Sequence, residues 1–230
     1  MAAVDEGLTP GAASPGLVSS SVGRKLAMAF SGIVLFGFAT VHMIGNLQAY
    51  MGRETLNKYA EFLQHMLHGG GIWIFRGILL AAVAVHGWAA LSLTLDNRKA
   101  RPVGYRAQQL QAATWASRTM RWSGVILLAF IIYHLLHLTT GQAHPNFIPG
   151  DAFANFVAGF KVPAASAFYI VAQLCLGLHL WHGVWSVTQT LGLSHPRYNT
   201  LRRAFASILT VLVVGVNISY PIAVLSGVIK

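Results

Sequence analysis

Residues 30–46 read FSGIVLFGFATVHMIGN. No Asp, Glu, Lys or Arg interrupts this run, and a histidine stands near its end. With its flanks, the run is long enough to cross about 30 Å of hydrocarbon as a helix. An ionisable side chain at membrane depth is costly, so His42 is a functional candidate from the outset. The pattern recurs at residues 121–134, RWSGVILLAFIIYH. Ser31-Gly32 precedes His42 by the same 11 residues that separate Ser123-Gly124 from His134, counting from each serine.

The rest of the chain supports a membrane reading. Of 230 residues, 55% are hydrophobic and 10% charged, with mean hydropathy +0.56. A soluble domain carries about 25% charged residues. The net charge of +10 would suit a nucleic-acid binder in total. The charges, however, fall between apolar blocks, so they read as cationic residues at a membrane surface. The lone Cys175 excludes a disulfide framework or a thiolate metal site and reads as a small buried apolar residue.

Five blocks reach spanning length: 25–47, 72–95, 119–140, 164–191 and 204–228. The expected fold is therefore all-α, a polytopic bundle of five transmembrane helices over residues 22–230. Residues 1–21 are rich in Ala, Gly, Ser and Pro and read as a disordered cytoplasmic tail rather than a cleaved signal. Eleven of the 16 Lys and Arg residues fall on one side of this layout and five on the other. The basic side is expected to be cytoplasmic, with the N-terminus inside and the C-terminus outside.

The span partners echo each other too. His86-Gly87-Trp88 lies in the second span and His179-Leu180-Trp181 in the fourth. His42 to His86 is 44 residues, and His134 to His179 is 45. The chain thus reads as two related helix pairs plus a fifth helix. At a rise of 1.5 Å per residue, His42 lies roughly 26 Å and His134 roughly 22 Å from the cytoplasmic start of their spans. His86 lies roughly 21 Å from the outer face, and His179 is placed similarly. Two spans carry histidine at an outer level and two at an inner level. A single such histidine is well explained by an interhelical hydrogen bond, worth about 0.6–2 kcal/mol. Four at matched depths are what two stacked bis-histidine haems require. Zinc and non-haem iron usually want carboxylates or thiolates as well. No span core holds a carboxylate, which also argues against a carboxylate-based pump. His137 and His182 lie three residues past His134 and His179, on the same helix faces, and are alternate ligands. His65, His68, His144 and His195 read as surface or interfacial residues. Gly32, Gly37, Gly45, Gly124 and Gly177 offer either slots for a cofactor or ordinary helix packing. Arg76 reads either as a snorkelling interface arginine or as a partner for a haem propionate.

These stretches resemble the di-haem cytochrome b anchor of succinate:quinone oxidoreductases, the complex II family, in its five-helix single-chain form. The resemblance is carried by Ser31-Gly32 through His42-Met43-Ile44-Gly45-Asn46 and by Val85-His86-Gly87. Arg121-Trp122-Ser123-Gly124 through Tyr133-His134, then Leu178-His179 with Gly183-Val184-Trp185-Ser186, complete it. It implies that His42 and His134 ligate a distal haem b near the outer face, and that His86 and His179 ligate a proximal haem b near the cytoplasm. It further implies a flavoprotein subunit and an iron–sulfur subunit docked on the cytoplasmic face of a bacterial-type inner membrane. Electrons would pass from the iron–sulfur subunit to or from a membrane quinone, menaquinone in most di-haem anchors. Succinate oxidation itself would belong to the partner subunits, not to this chain.

The segment from Ser117 to Gly124 resembles the serine–arginine stretch of related quinone sites, so Ser117 and Arg121 are candidate quinone contacts. The other reading is a capping serine and a cytoplasmic-side arginine. In part of the fumarate-reducing branch, a glutamate stands two residues before the fourth haem histidine. Here that position is Gly177. Two other function classes compete: a di-haem anchor of another respiratory dehydrogenase, and a haem-free small transporter.

Overall fold

The computed structural model describes residues 16, 19–100 and 115–230. Most of the expected tail, residues 1–21, lies outside the described residues, as do Arg101 and Arg106. The described chain is helical and contains no strand. Five helices are long and apolar enough to cross a membrane: α1 (Ser21–Asn46), α3 (Gly70–Lys99), α4 (Trp115–His134), α6 (Pro163–Thr190) and α7 (Asn199–Leu225). Their many exposed Leu, Ile, Val and Phe side chains suit a lipid solvent.

The ends of these helices follow from local chemistry. Ser20 caps α1 by accepting the Gly23 N–H at 3.0 Å. Pro163 opens α6, where a missing N–H costs nothing. Gly192 closes α6 at φ +74°, a left-handed conformation that glycine adopts without strain. At the far end of the third span, Leu135–Thr139 widen into one turn of π-helix. Such bulges recur at functional sites.

Two short helices were not expected from the sequence: α2 (Arg53–His65) and α5 (Ala152–Phe160). Neither is long enough to cross a bilayer, so a search for spans passes over both. Together they close one end of the bundle, here called the cap end. Leu56 of α2 and Phe153, Phe156, Val157 and Phe160 of α5 pack with Tyr169, Tyr220, Ala223 and Val224 as a buried apolar cluster. The other end carries Arg24, Lys25, Arg98, Lys99, Arg118, Arg121, Arg202 and Arg203, and is called the basic end. There Arg24 pairs with Asp96 at 2.6 Å, tying the start of α1 to the end of α3.

A polar clamp joins α2 to α5. Asp151 caps α5 through the Ala154 N–H at 3.0 Å. It also accepts from the Asn57 side-chain amide at 2.9 Å and pairs with Arg53. Burial pushes the Asp151 carboxyl up, but the bonds from Asn57, the Ala154 N–H and Arg53 together hold it below its ordinary value. The clamp therefore stabilises the cap above the ordinary carboxylate range, and that stability is lost as pH falls through the lowered folded value. Amide protection factors in α5 are expected to hold at neutral pH and to drop on acidification. Asp151→Ala is expected to lower them at neutral pH, losing about 1 kcal/mol of cap stability, and to flatten their dependence on pH.

Packing within the bundle is uneven. Helix α1 lies along α3, α4 along α6, and α6 along α7. This reproduces the two helix pairs plus a fifth helix read from the repeat. Among the described residues, the backbones of α1 and α4 approach each other far less than those of the paired helices, as do those of α3 and α6. Histidine rings meet across both gaps.

Candidate functional site

At the cap end, the His42 ring on α1 faces the His134 ring on α4, with centroids 5.8 Å apart and planes at 84°. Nearer the basic end, His86 on α3 faces His179 on α6 at 6.1 Å and 55°. Among the described residues, no cluster of three or more candidate metal-binding side chains forms. The donor set is therefore pairs of imidazoles in apolar surroundings. That suits haem, which asks the protein for two axial nitrogens, and it does not suit a four-coordinate zinc. Each pair brings imidazoles from two different helices opposite each other, at 5.8 Å and 6.1 Å between centroids, so that one cofactor could be held between them.

The basic-end pair is held through the repeat. His86 Nδ1 lies 3.2 Å from Ser31 Oγ and 3.2 Å from the Met28 carbonyl. His179 Nδ1 lies 3.2 Å from Ser123 Oγ. The glycine after each serine gives the ring its room. A Cβ on Gly32 would stand 3.3 Å from His86 Cε1, and one on Gly124 would stand 3.8 Å from His179 Cε1. Gly32→Ala is accordingly expected to disturb its histidine more than Gly124→Ala does, a difference that haem retention during purification would reveal.

The cap-end pair is held differently. The Tyr169 hydroxyl lies 3.1 Å from His134 Nδ1 and 3.0 Å from His137 Nδ1. His42 Nε2 accepts from the Asn46 amide at 3.2 Å, so that nitrogen is free for a metal only when Asn46 turns away. Phe38 stacks on His42 at 5.3 Å, and Phe130 flanks His134 at 5.7 Å.

The alternates stand elsewhere. His137, in the π-turn, is 1% exposed, and its ring faces His144 and Tyr169 rather than His42. His182 bonds Ser186 at 3.0 Å. His65, His68 and His195 are exposed, as expected. His144 departs from the surface reading: it is half-buried, with its ring 5.2 Å from His137. Its Nε2–H donates to the Asn155 carbonyl at 2.8 Å, because the loop before α5 folds back onto that helix. Gly159 of α5 makes this close approach feasible; a Cβ there would lie 2.8 Å from His137 Cε1.

Arg76 is exposed, with its guanidinium over the Trp73 ring at 4.8 Å, an arrangement that suits an interfacial arginine. Arg121 is exposed at the start of α4. The side chain of Ser117 lies outside the described residues. Gly177 is a packing residue: a Cβ there would meet Val214 at 3.2 Å and Thr210 at 3.7 Å on α7. Gly45 likewise admits the Tyr59 ring of α2 against α1. Ser31, Ser123, Tyr169 and Asn46 were not singled out as partners of the histidines from the sequence. The equal serine-to-histidine spacing was the available signal for the two serines.

Comparison with known proteins agrees with this architecture. The chain is 27% identical over 191 residues to the succinate dehydrogenase cytochrome b558 subunit of Bacillus subtilis (strain 168), covering 82% of this chain and 87% of that protein. No solved structure matches it significantly. Residues 97–218, more than half of the chain, match the family described as succinate dehydrogenase/fumarate reductase transmembrane subunit. With that match and five spanning helices, the chain belongs to the family of membrane anchors of succinate dehydrogenase and fumarate reductase.

Proposed function

We propose that this anchor holds two b haems and conducts electrons between an iron–sulfur subunit and a membrane quinone. The observation that carries the reading is the pair of cross-helix histidine contacts, 5.8 and 6.1 Å between centroids, at two levels of one bundle. His42 and His134 would hold the haem iron at the cap end, and His86 and His179 would hold it at the basic end. His137 and His182 are set aside as ligands because neither ring faces a histidine on an opposing helix pair. Bound haem would supply one-electron transfer, at a potential set by its axial ligands and surroundings. The chain's own part is to fix four imidazoles, exclude water with apolar spans and keep the two sites at a set separation.

The basic end is proposed to face the cytoplasm, which places the N-terminus inside and the C-terminus outside. A flavoprotein and an iron–sulfur subunit would dock there, and the His86–His179 site would be the nearer of the two to them. The Bacillus relative is named as part of a succinate dehydrogenase. Residues 22–230 would form the cytochrome domain and residues 1–21 a cytoplasmic tail. Ser117 and Arg121 remain the proposed quinone contacts, with a hydroxyl and a guanidinium suited to a developing quinol oxygen. Menaquinone is the quinone proposed, by resemblance to other di-haem anchors.

The test is a reduced-minus-oxidised absorption spectrum of the purified complex, with haem counted per anchor chain. Two low-spin b haems per chain are expected. A colourless chain from haem-replete cells would overturn the proposal.

A further inference from the structure

We propose that Ser31 and Ser123 are positioning residues that fix the tautomer and aim of His86 and His179, and so tune the haem they hold. The inference rests on the reading of those two histidines as haem ligands.

A serine hydroxyl has one hydrogen to give and can still accept. Ser31 gives its hydrogen to the helix backbone, with the Ala27 carbonyl at 2.7 Å and that of Met28 at 3.1 Å. Its oxygen can then only accept from His86 Nδ1. The hydrogen of His86 must therefore sit on Nδ1, where the Met28 carbonyl at 3.2 Å accepts it as well. A neutral imidazole protonated at Nδ1 keeps its lone pair on Nε2. Ser123 repeats the arrangement. Its hydrogen goes to the Met120 carbonyl at 3.0 Å, and its oxygen accepts from His179 Nδ1 at 3.2 Å. Both serines are buried, at 7% and 3% exposure, so water offers neither histidine an easy substitute acceptor.

This gives the sequence repeat a meaning that its spacing alone does not suggest. Each Ser-Gly precedes a histidine on its own helix by 11 residues, yet it serves the histidine of the partner helix at the other level. The cap-end pair lacks the device: His134 shares the Tyr169 hydroxyl with His137, and His42 faces Asn46. An N–H···O bond at the far side of a ligating imidazole orients the ring and strengthens it as a donor. A stronger donor favours the oxidised iron. Removing the serine hydroxyl should therefore raise the midpoint potential of one haem and leave the other unchanged.

The experiment uses the intact complex carrying Ser31→Ala, Ser123→Ala or Ser31→Thr. Haem per chain, redox titration of both haems and the electron paramagnetic resonance signals of the ferric low-spin haems are measured. Each alanine variant is expected to shift the potential upward and move the g-values of the same single haem, or to lose that haem. Ser31→Thr, which keeps the hydroxyl, is expected to retain it with wild-type signals. Unchanged potentials and g-values in both alanine variants would overturn the proposal. So would a threonine variant that behaves like alanine. Failure of the underlying ligand assignment looks different: His86→Ala would then leave the affected haem in place.

Discussion

Replacing His86 with alanine is expected to halve the haem content, from two per chain to one. The ring faces His179 at 6.1 Å, and no other histidine ring on α3 stands ready to replace it. His182 is nearby in sequence, but it lies on the same helix as His179 and bonds Ser186. The surviving haem is expected to keep its redox potential, because the cap-end pair draws its partners from Asn46, Tyr169 and the surrounding aromatics instead. Haem extraction with quantitation of purified complex, followed by redox titration, reads both quantities. Retention of two haems would exclude His86 as a ligand.

The second large effect separates two histidines three residues apart. His134→Ala is expected to lose the cap-end haem, and His137→Ala to retain it. Only the His134 ring faces His42, at 5.8 Å. His137 is nonetheless the more buried of the two, lodged between Tyr133, Tyr169 and His144. Its loss should leave a cavity and reduce the Tyr169 hydroxyl to its one remaining histidine partner, His134, so the His137→Ala complex is expected to be less heat-stable while still carrying two haems. Counting haem in the two variants side by side decides the assignment. The opposite pattern, loss with His137→Ala and retention with His134→Ala, would move the ligand to the π-turn. Tyr169→Phe provides a milder companion: it removes the shared hydroxyl without opening a cavity, and its effect should be confined to the cap-end haem.

Hydrophobic run length and charge placement were enough to determine the five spans, their order and the basic character of one end. A helix that crosses lipid must satisfy its own backbone, so its signature is written locally in 20 or so consecutive residues. The two helix pairs were legible as well, because the repeat preserves its spacing. The candidate histidines could be listed for the same reason: polar rings at membrane depth stand out against apolar neighbours.

Spacing along one helix does not say which rings meet across two. His134 and His137 share a face of one helix, and only the packing of α1 opposite α4 turns one toward His42 and the other toward His144. The short helices α2 and α5 were missed because their stability comes from burying apolar faces against the bundle end and from the Asp151 clamp, contacts between residues nearly 100 positions apart. Ser31 and Ser123 looked like features of their own spans. Antiparallel packing of α1 on α3 and of α4 on α6 carries each hydroxyl to a histidine 55 or 56 residues away. Local sequence thus determined what crosses the membrane and which side chains have chemistry to offer. The tertiary structure decided which of them face one another, because side-chain pairing depends on the rotation and depth of each helix against its neighbours, which no single segment encodes.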